Sequence, residues 1–164
     1  MSTFHHTFKV QSDARPTFDD VTEQVEAALG KSGFRDGILM VFSQHTTCSV
    51  IIQEASDDID YWGTEFLMQD LVGALGKIIP TCLTQNQYLH PGPKHIEAAL
   101  GRDELASWSL NTDAHLRSVL LGRSVTVPVQ DGAMVLGEFG RIYFADFDQT
   151  RARERKVRVQ IIGE

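Results

Sequence analysis

Three histidines sit where chemistry is usually placed, at element boundaries and in loops. His45 lies in "SQHTTCS" (43–49), between an apolar run that ends at Phe42 and another that begins at Val50. His90 lies in "YLHPGPKH" (88–95) and His115 in "NTDAHLRS" (111–118). Loops held by a rigid scaffold are common sites of binding and catalysis. Three neutral imidazoles can hold a divalent metal, zinc or magnesium, and leave one position open for water. They can equally donate to a phosphate or move a proton. No local zinc motif such as HExxH is present, so convergence of His45, His90 and His115 on a metal is an expectation set against three separate surface or structural roles. Cys48 offers a second chemistry, a thiol nucleophile, against the plainer role of a small buried hydrophobe beside Val50. If residues 45–49 stay extended, His45, Thr47 and Ser49 share one face and Thr46 and Cys48 the other.

A third constellation is basic. Arg117, Arg123, Arg141, Arg151, Arg153 and Arg155 are concentrated in the C-terminal half of a chain whose formal net charge is −7. The run "RARERK" (151–156) reads as a solvated strand edge, where charge discourages edge pairing. One or two of these arginines beside hydroxyls and a helix start would instead make a phosphate or carboxylate site. Thr46, Thr47 and Ser49 supply hydroxyls, and a helix beginning at Asn111 supplies amides. The net charge argues against non-specific nucleic-acid binding, which needs a basic surface.

The elements that must position these groups follow from periodicity. Phe4–Val10 alternates weakly and predicts a first strand, with His5 and His6 on a solvated edge. Asp19 or Asp20 caps a helix carrying Val21, Val25, Ala28 and Leu29, and Gly33 ends it. The runs 38–42 and 48–53 read as strands. Asp57 and Asp58 start a second helix, with Ile59, Trp62, Phe66, Leu71 and Leu75 on its apolar stripe and Pro80 at its end. A helical pattern covers 96–106, and a capped helix runs from Asn111 to Gly122. The C-terminal 42 residues read as strands, with "DG" at 131–132 as a hairpin turn. The order is not a regular βαβα series. It predicts an α+β fold, with a mixed, largely antiparallel sheet and helices packed mainly on one face. No apolar run reaches the roughly 20 residues a spanning helix needs, and Met1–Lys9 shows no secretory pattern. With only two cysteines, the expectation is a cytoplasmic protein with reduced thiols and no membrane partner.

Two long stretches carry a family resemblance. "HTTCSVIIQE" (45–54) resembles the "HTTAxLxxNE" signature of the YjbQ-like family, often labelled secondary thiamine-phosphate synthase proteins. "NTDAHLRSVLLGRSVTVPVQDGAMVLGEFGRI" (111–142) resembles its second signature, and "RARERKVRVQIIGE" is similar to its terminal strand. The likeness runs from about Gly37 to Glu164. It implies one YjbQ-like domain over 1–164, a compact homotrimer, and a polar pocket built from both signatures. Carried over by position, the pocket residues are His45, Thr46, Thr47, Glu54, His90, Asn111 and His115. Residues and resemblance together give the expected roles: catalytic for His45, His115 and Glu54, substrate-binding for Thr46, Thr47, Asn111 and Arg141, and metal-binding for His45, His90 and His115. The implied activity is weak condensation of a thiazole phosphate with a pyrimidine diphosphate; the partner is then a phosphorylated small molecule. The alternative is a non-enzymatic trimeric protein that binds an anion or a metal. Cys48 stands where the family commonly has Ala and Phe139-Gly140 where it has Trp-Gln. The stretch Pro91–Ser109 is longer than usual, and "EASDDID" (54–60) lacks the usual Pro.

Overall fold

A computed structural model describes residues 2–164. Two antiparallel sheets and one helix close a common apolar core. The larger sheet has the order β1(Ser2–Gln11)–β8(Glu154–Gly163)–β3(Gly37–Ser43)–β5(Ser124–Gln130)–β6(Ala133–Met134). The smaller has the order β2(Thr17–Asp20)–β7(Gly140–Asp146)–β4(Cys48–Glu54). Period-2 alternation decides the inner faces. Leu39 and Val41 of β3, Val127 and Val129 of β5, and Val157, Val159 and Ile161 of β8 are buried against Val50 of β4 and Ile142 and Phe144 of β7. Helix α1(Thr22–Ser32) adds Val25, Ala28 and Leu29 to that core.

Ala145, on the outer face of the small sheet, and Phe147, just past the end of β7, pack with Leu75 of α2(Phe66–Ile78) and Ala114 of α4(Thr112–Leu121). The fold is therefore α+β, as the element order predicts, and every strand pair is antiparallel. Asp20 prepares the start of α1: its Oδ1 accepts from the Thr22 N–H at 2.9 Å and from the Thr22 hydroxyl at 2.6 Å. The Asp131-Gly132 turn joins β5 to β6 with φ of 52° and 80°, the left-handed pair a tight hairpin needs.

Three expectations are corrected. Strand β2 does not stand out in the sequence, because "TFDD" is short and half acidic; pairing with β7 makes it a strand. Helix α2 begins at Phe66, not near Asp57. Asp60 Oδ1 accepts from the Trp62 and Thr64 amides at 2.9 and 2.8 Å and folds 60–64 into a turn, leaving Ile59 and Trp62 exposed. The segment expected to be one helix over 96–106 is α3(Pro93–Leu100) followed by a 3-10 turn, Ala106–Ser109. Among the described residues no helix is long and apolar enough to cross a membrane.

Candidate functional site

Three connections meet at one end of the two sheets: the β3–β4 turn (44–47), the start of α4, and the β7–β8 loop (147–153). Together they line a cleft of about 290 Å3 whose walls include His45, Thr46, Asn111, His115, Asp148 and Arg153.

The β3–β4 turn is not extended. The Cys48 amide donates to the His45 carbonyl at 3.2 Å, which closes a tight turn without Gly, Pro, Asn or Asp. Strand β3 stops pairing with β8 at Ser43↔Val157. Beyond it, the His45 ring takes over: Nε2 accepts the Lys156 backbone N–H at 3.0 Å. An imidazole that accepts at Nε2 carries its proton on Nδ1. Burial, helped by Arg155, lowers the His45 pKa from its usual value, so the ring is neutral near pH 7.

Helix α4 presents His115 one turn in. Its Nδ1 lies 3.2 Å from the Thr46 carbonyl oxygen. A carbonyl only accepts, so Nδ1 carries the proton and Nε2 keeps a lone pair. Burial lowers this pKa as well. Asn111 sits at the helix start without capping it, and its buried Oδ1 finds no partner among the described residues. The Thr112 hydroxyl donates to the His90 carbonyl, which ties the His90 loop to this helix.

The floor is an ion-pair network between the sheets. Arg155 of β8, 5% exposed, reaches Asp146 of β7, with Nε to Oδ2 at 2.6 Å. Its Nη2 also donates to the Thr47 hydroxyl at 3.1 Å and lies 3.7 Å from Asp148. Arg153 pairs with Asp148 at 3.4 Å, while its buried Nε has no partner among the described residues. Thr47 therefore serves by holding Arg155. Cys48 lies beneath, fully buried, and burial beside Asp146 drives its thiol pKa far up. A thiol in that state is a poor nucleophile.

The cleft brings together His45, Thr46, Thr47, Asn111 and His115. It does not bring in Glu54 or Arg141. Those two lie at the far end of the small sheet, where Glu54 pairs with Gly140 and Gln53 with Arg141. Arg141 instead borders a separate hollow with Asp20, Glu23 and Glu26. The three-histidine metal set also takes another form. His45 commits its lone pair to Lys156, while His90 packs its ring against His95 at 4.5 Å and His115 at 5.8 Å. Among the described residues no three His, Cys, Asp or Glu side chains are placed to hold a metal ion. The expected donor set thus does not fit a metal as it stands.

Asp146 and Asp148 are absent from the expected site, while Arg153 and Arg155 prove to be the two of the six candidate arginines that lie beside Thr46, Thr47 and the helix start. The signal for Arg155 was present: it is in phase with Val157, Val159 and Ile161 on β8, and so faces inward. Since β8 lies between β1 and β3, "RARERK" leads into an inner strand, not an edge.

The second signature stretch forms α4, the β5–β6 hairpin and the start of β7, and the first forms the cleft turn and β4. A profile of the UPF0047 protein YjbQ-like family matches residues 6–164. The chain belongs to this family. It is 32% identical over 164 residues to a UPF0047 protein of Methanothermobacter thermautotrophicus, covering 100% of this chain and 95% of that one. It is 36% identical over 134 residues to a UPF0047 protein of Archaeoglobus fulgidus, covering 82% and 83%. Among solved structures, hypothetical protein APE1520 from Aeropyrum pernix superposes with a TM-score of 0.72 at 29% identity, covering 100% of both chains. A YjbQ/UPF0047 family protein from Clostridium acetobutylicum gives 0.69 at 28% identity, covering 97% and 99%. One departure from the YjbQ-like signature has a local reason here. A Cβ on Gly140 would lie 2.3 Å from the Leu136 carbonyl oxygen, so the loop before β7 closes in a way that excludes a side chain such as glutamine.

Proposed function

We propose that the cleft binds the acidic group of a small phosphorylated molecule and that His115 handles a proton beside it. The observation that carries this reading is the Arg153 Nε–H, buried at the cleft without a partner among the described residues, next to two neutral histidines of fixed tautomer. A guanidinium N–H held in place is a strong anion donor. A neutral His115 with a free Nε2 suits a general base. His45, with its proton on Nδ1, suits a donor to the bound anion. Within this reading, the activity to assay first is thiamine-phosphate-synthase-type transfer, with loss of pyrophosphate from a pyrimidine diphosphate as a thiazole phosphate attacks. Titration calorimetry with inorganic phosphate tests the binding step. Arg153→Ala and His45→Ala should each weaken phosphate binding about tenfold or more, with melting curves showing a retained fold. Unchanged affinity in both variants overturns the proposal.

A second reading is a non-enzymatic anion- or metal-binding protein. The buried, unpartnered His90 Nε2 favours it, since a ligand held there would meet a ring outside the His45–His115 pair. Metal analysis of purified protein, with turnover measured with and without chelator, separates the two. Assembly as a homotrimer is part of both readings. It draws support from Leu116, Val119 and Leu120, which leave an apolar stripe of α4 exposed at 42%, 80% and 57%. Light scattering at several protein concentrations checks it.

A further inference from the structure

The charges and hydrogen-bonding groups of the cleft say more about its ligand than that it is acidic. We infer that the site takes a molecule with a phosphate or carboxylate group and a free hydroxyl close to it. The inference rests on the anion-binding reading above and narrows it.

Charge comes first. Two guanidiniums, Arg153 and Arg155, face two buried carboxylates, Asp146 and Asp148, and these cancel. Both cleft histidines have lowered pKa values and add no charge near neutral pH. With charge balanced in the cleft, hydrogen bonding is what separates one acidic ligand from another.

Hydrogen-bonding capacity comes second. The Arg153 Nε–H and the His45 Nδ1–H are donors and suit anionic oxygens. Asn111 Oδ1 and His115 Nε2 are acceptors and cannot bind a deprotonated phosphate. They require a ligand that also donates. A hydroxyl does so, and it satisfies the Asn111 amide whichever way that group is turned, because a hydroxyl both donates and accepts. A buried acceptor left unmatched costs affinity, so the hydroxyl is selected and not merely tolerated.

Calorimetric titration of the full chain with three probes tests this: glycerol 3-phosphate, n-propyl phosphate and inorganic phosphate. Glycerol 3-phosphate should bind about tenfold tighter than n-propyl phosphate, which has the same charge and no hydroxyl. Asn111→Ala should shrink the preference for glycerol 3-phosphate and leave n-propyl phosphate binding in place. Equal binding of the two phosphate esters overturns the inference and leaves the anion-binding reading standing. Failure of all three probes to bind overturns both.

Discussion

Arg155 shows how one residue was legible and yet misassigned. Its charge suggested solvent, but its parity along β8 assigned it to the core side, and the fold follows parity. What the sequence could not reveal was its partner, because Asp146 and Asp148 lie on β7 and the loop after it, in the other sheet. The histidines were more legible. His45 and His115 stand at positions where neither turn chemistry nor packing explains their type, and the structure places both on one cleft. Glu54 was carried to the site by signature position, and Arg141 as one of the C-terminal arginines that could meet an anion. Strand geometry takes them away again, since six residues of β4 span about 20 Å. Removing Arg155 would leave Asp146 buried without its cation. Arg155→Ala should therefore cost about 3–5 kcal/mol of stability, read from urea denaturation, whereas the half-exposed Arg153→Ala should cost far less. Similar losses in both would contradict the assignment of Arg155 to a buried pair.

At the level of elements, apolar spacing was reliable for the buried strands and least so where a local polar group captured the backbone. The Asp60 turn outcompetes a helical start that Ile59 and Trp62 would otherwise support. A glycine makes the complementary case. Gly37 opens β3 with φ at 155°, opposite Gly163, and a Cβ there would lie 2.2 Å from the Ile162 carbonyl oxygen. Neither the dihedral nor the backbone contact can relax cheaply. Gly37→Ala should destabilise by about 2–3 kcal/mol, seen as a lowered denaturation midpoint, while Gly30→Ala on the open side of α1 should be neutral or mildly stabilising. Between the elements, the segment 101–109 is fastened to the β7–β8 loop: the Arg151 guanidinium lies 3.7 Å over the Trp108 ring and pairs with Glu104. Such a tertiary clasp leaves no periodic trace in sequence.

For the whole molecule, the seam between the sheets carries both stability and site, so the two should respond to pH together. His45, His90 and His115 all have pKa values below the usual one, with burial as the leading cause. The unfolded chain then binds protons more readily than the folded one as pH falls below about 6.5. Their stabilising contribution is present above that value and is lost toward the lower folded values. Asp19 works in the opposite sense: burial and Asp146 raise it to about 6, so its penalty grows as pH rises from its ordinary range to about 6. With three groups against one, the melting temperature should fall by a few degrees from pH 7.5 to pH 5.5. His90→Gln and His115→Gln should each flatten that slope, and a flat wild-type profile over the range would refute the balance.

The ring of His45 also bears on how β8 begins. A side chain there does the task of a carbonyl, since Nε2 receives the Lys156 amide one step beyond the last β3 rung. A carbonyl keeps its lone pairs at any pH, whereas an imidazole surrenders this one when it takes up a proton. The outermost contact on the β3 side of β8 is thus titratable, and acid should loosen that side of the strand from the end that holds the cleft.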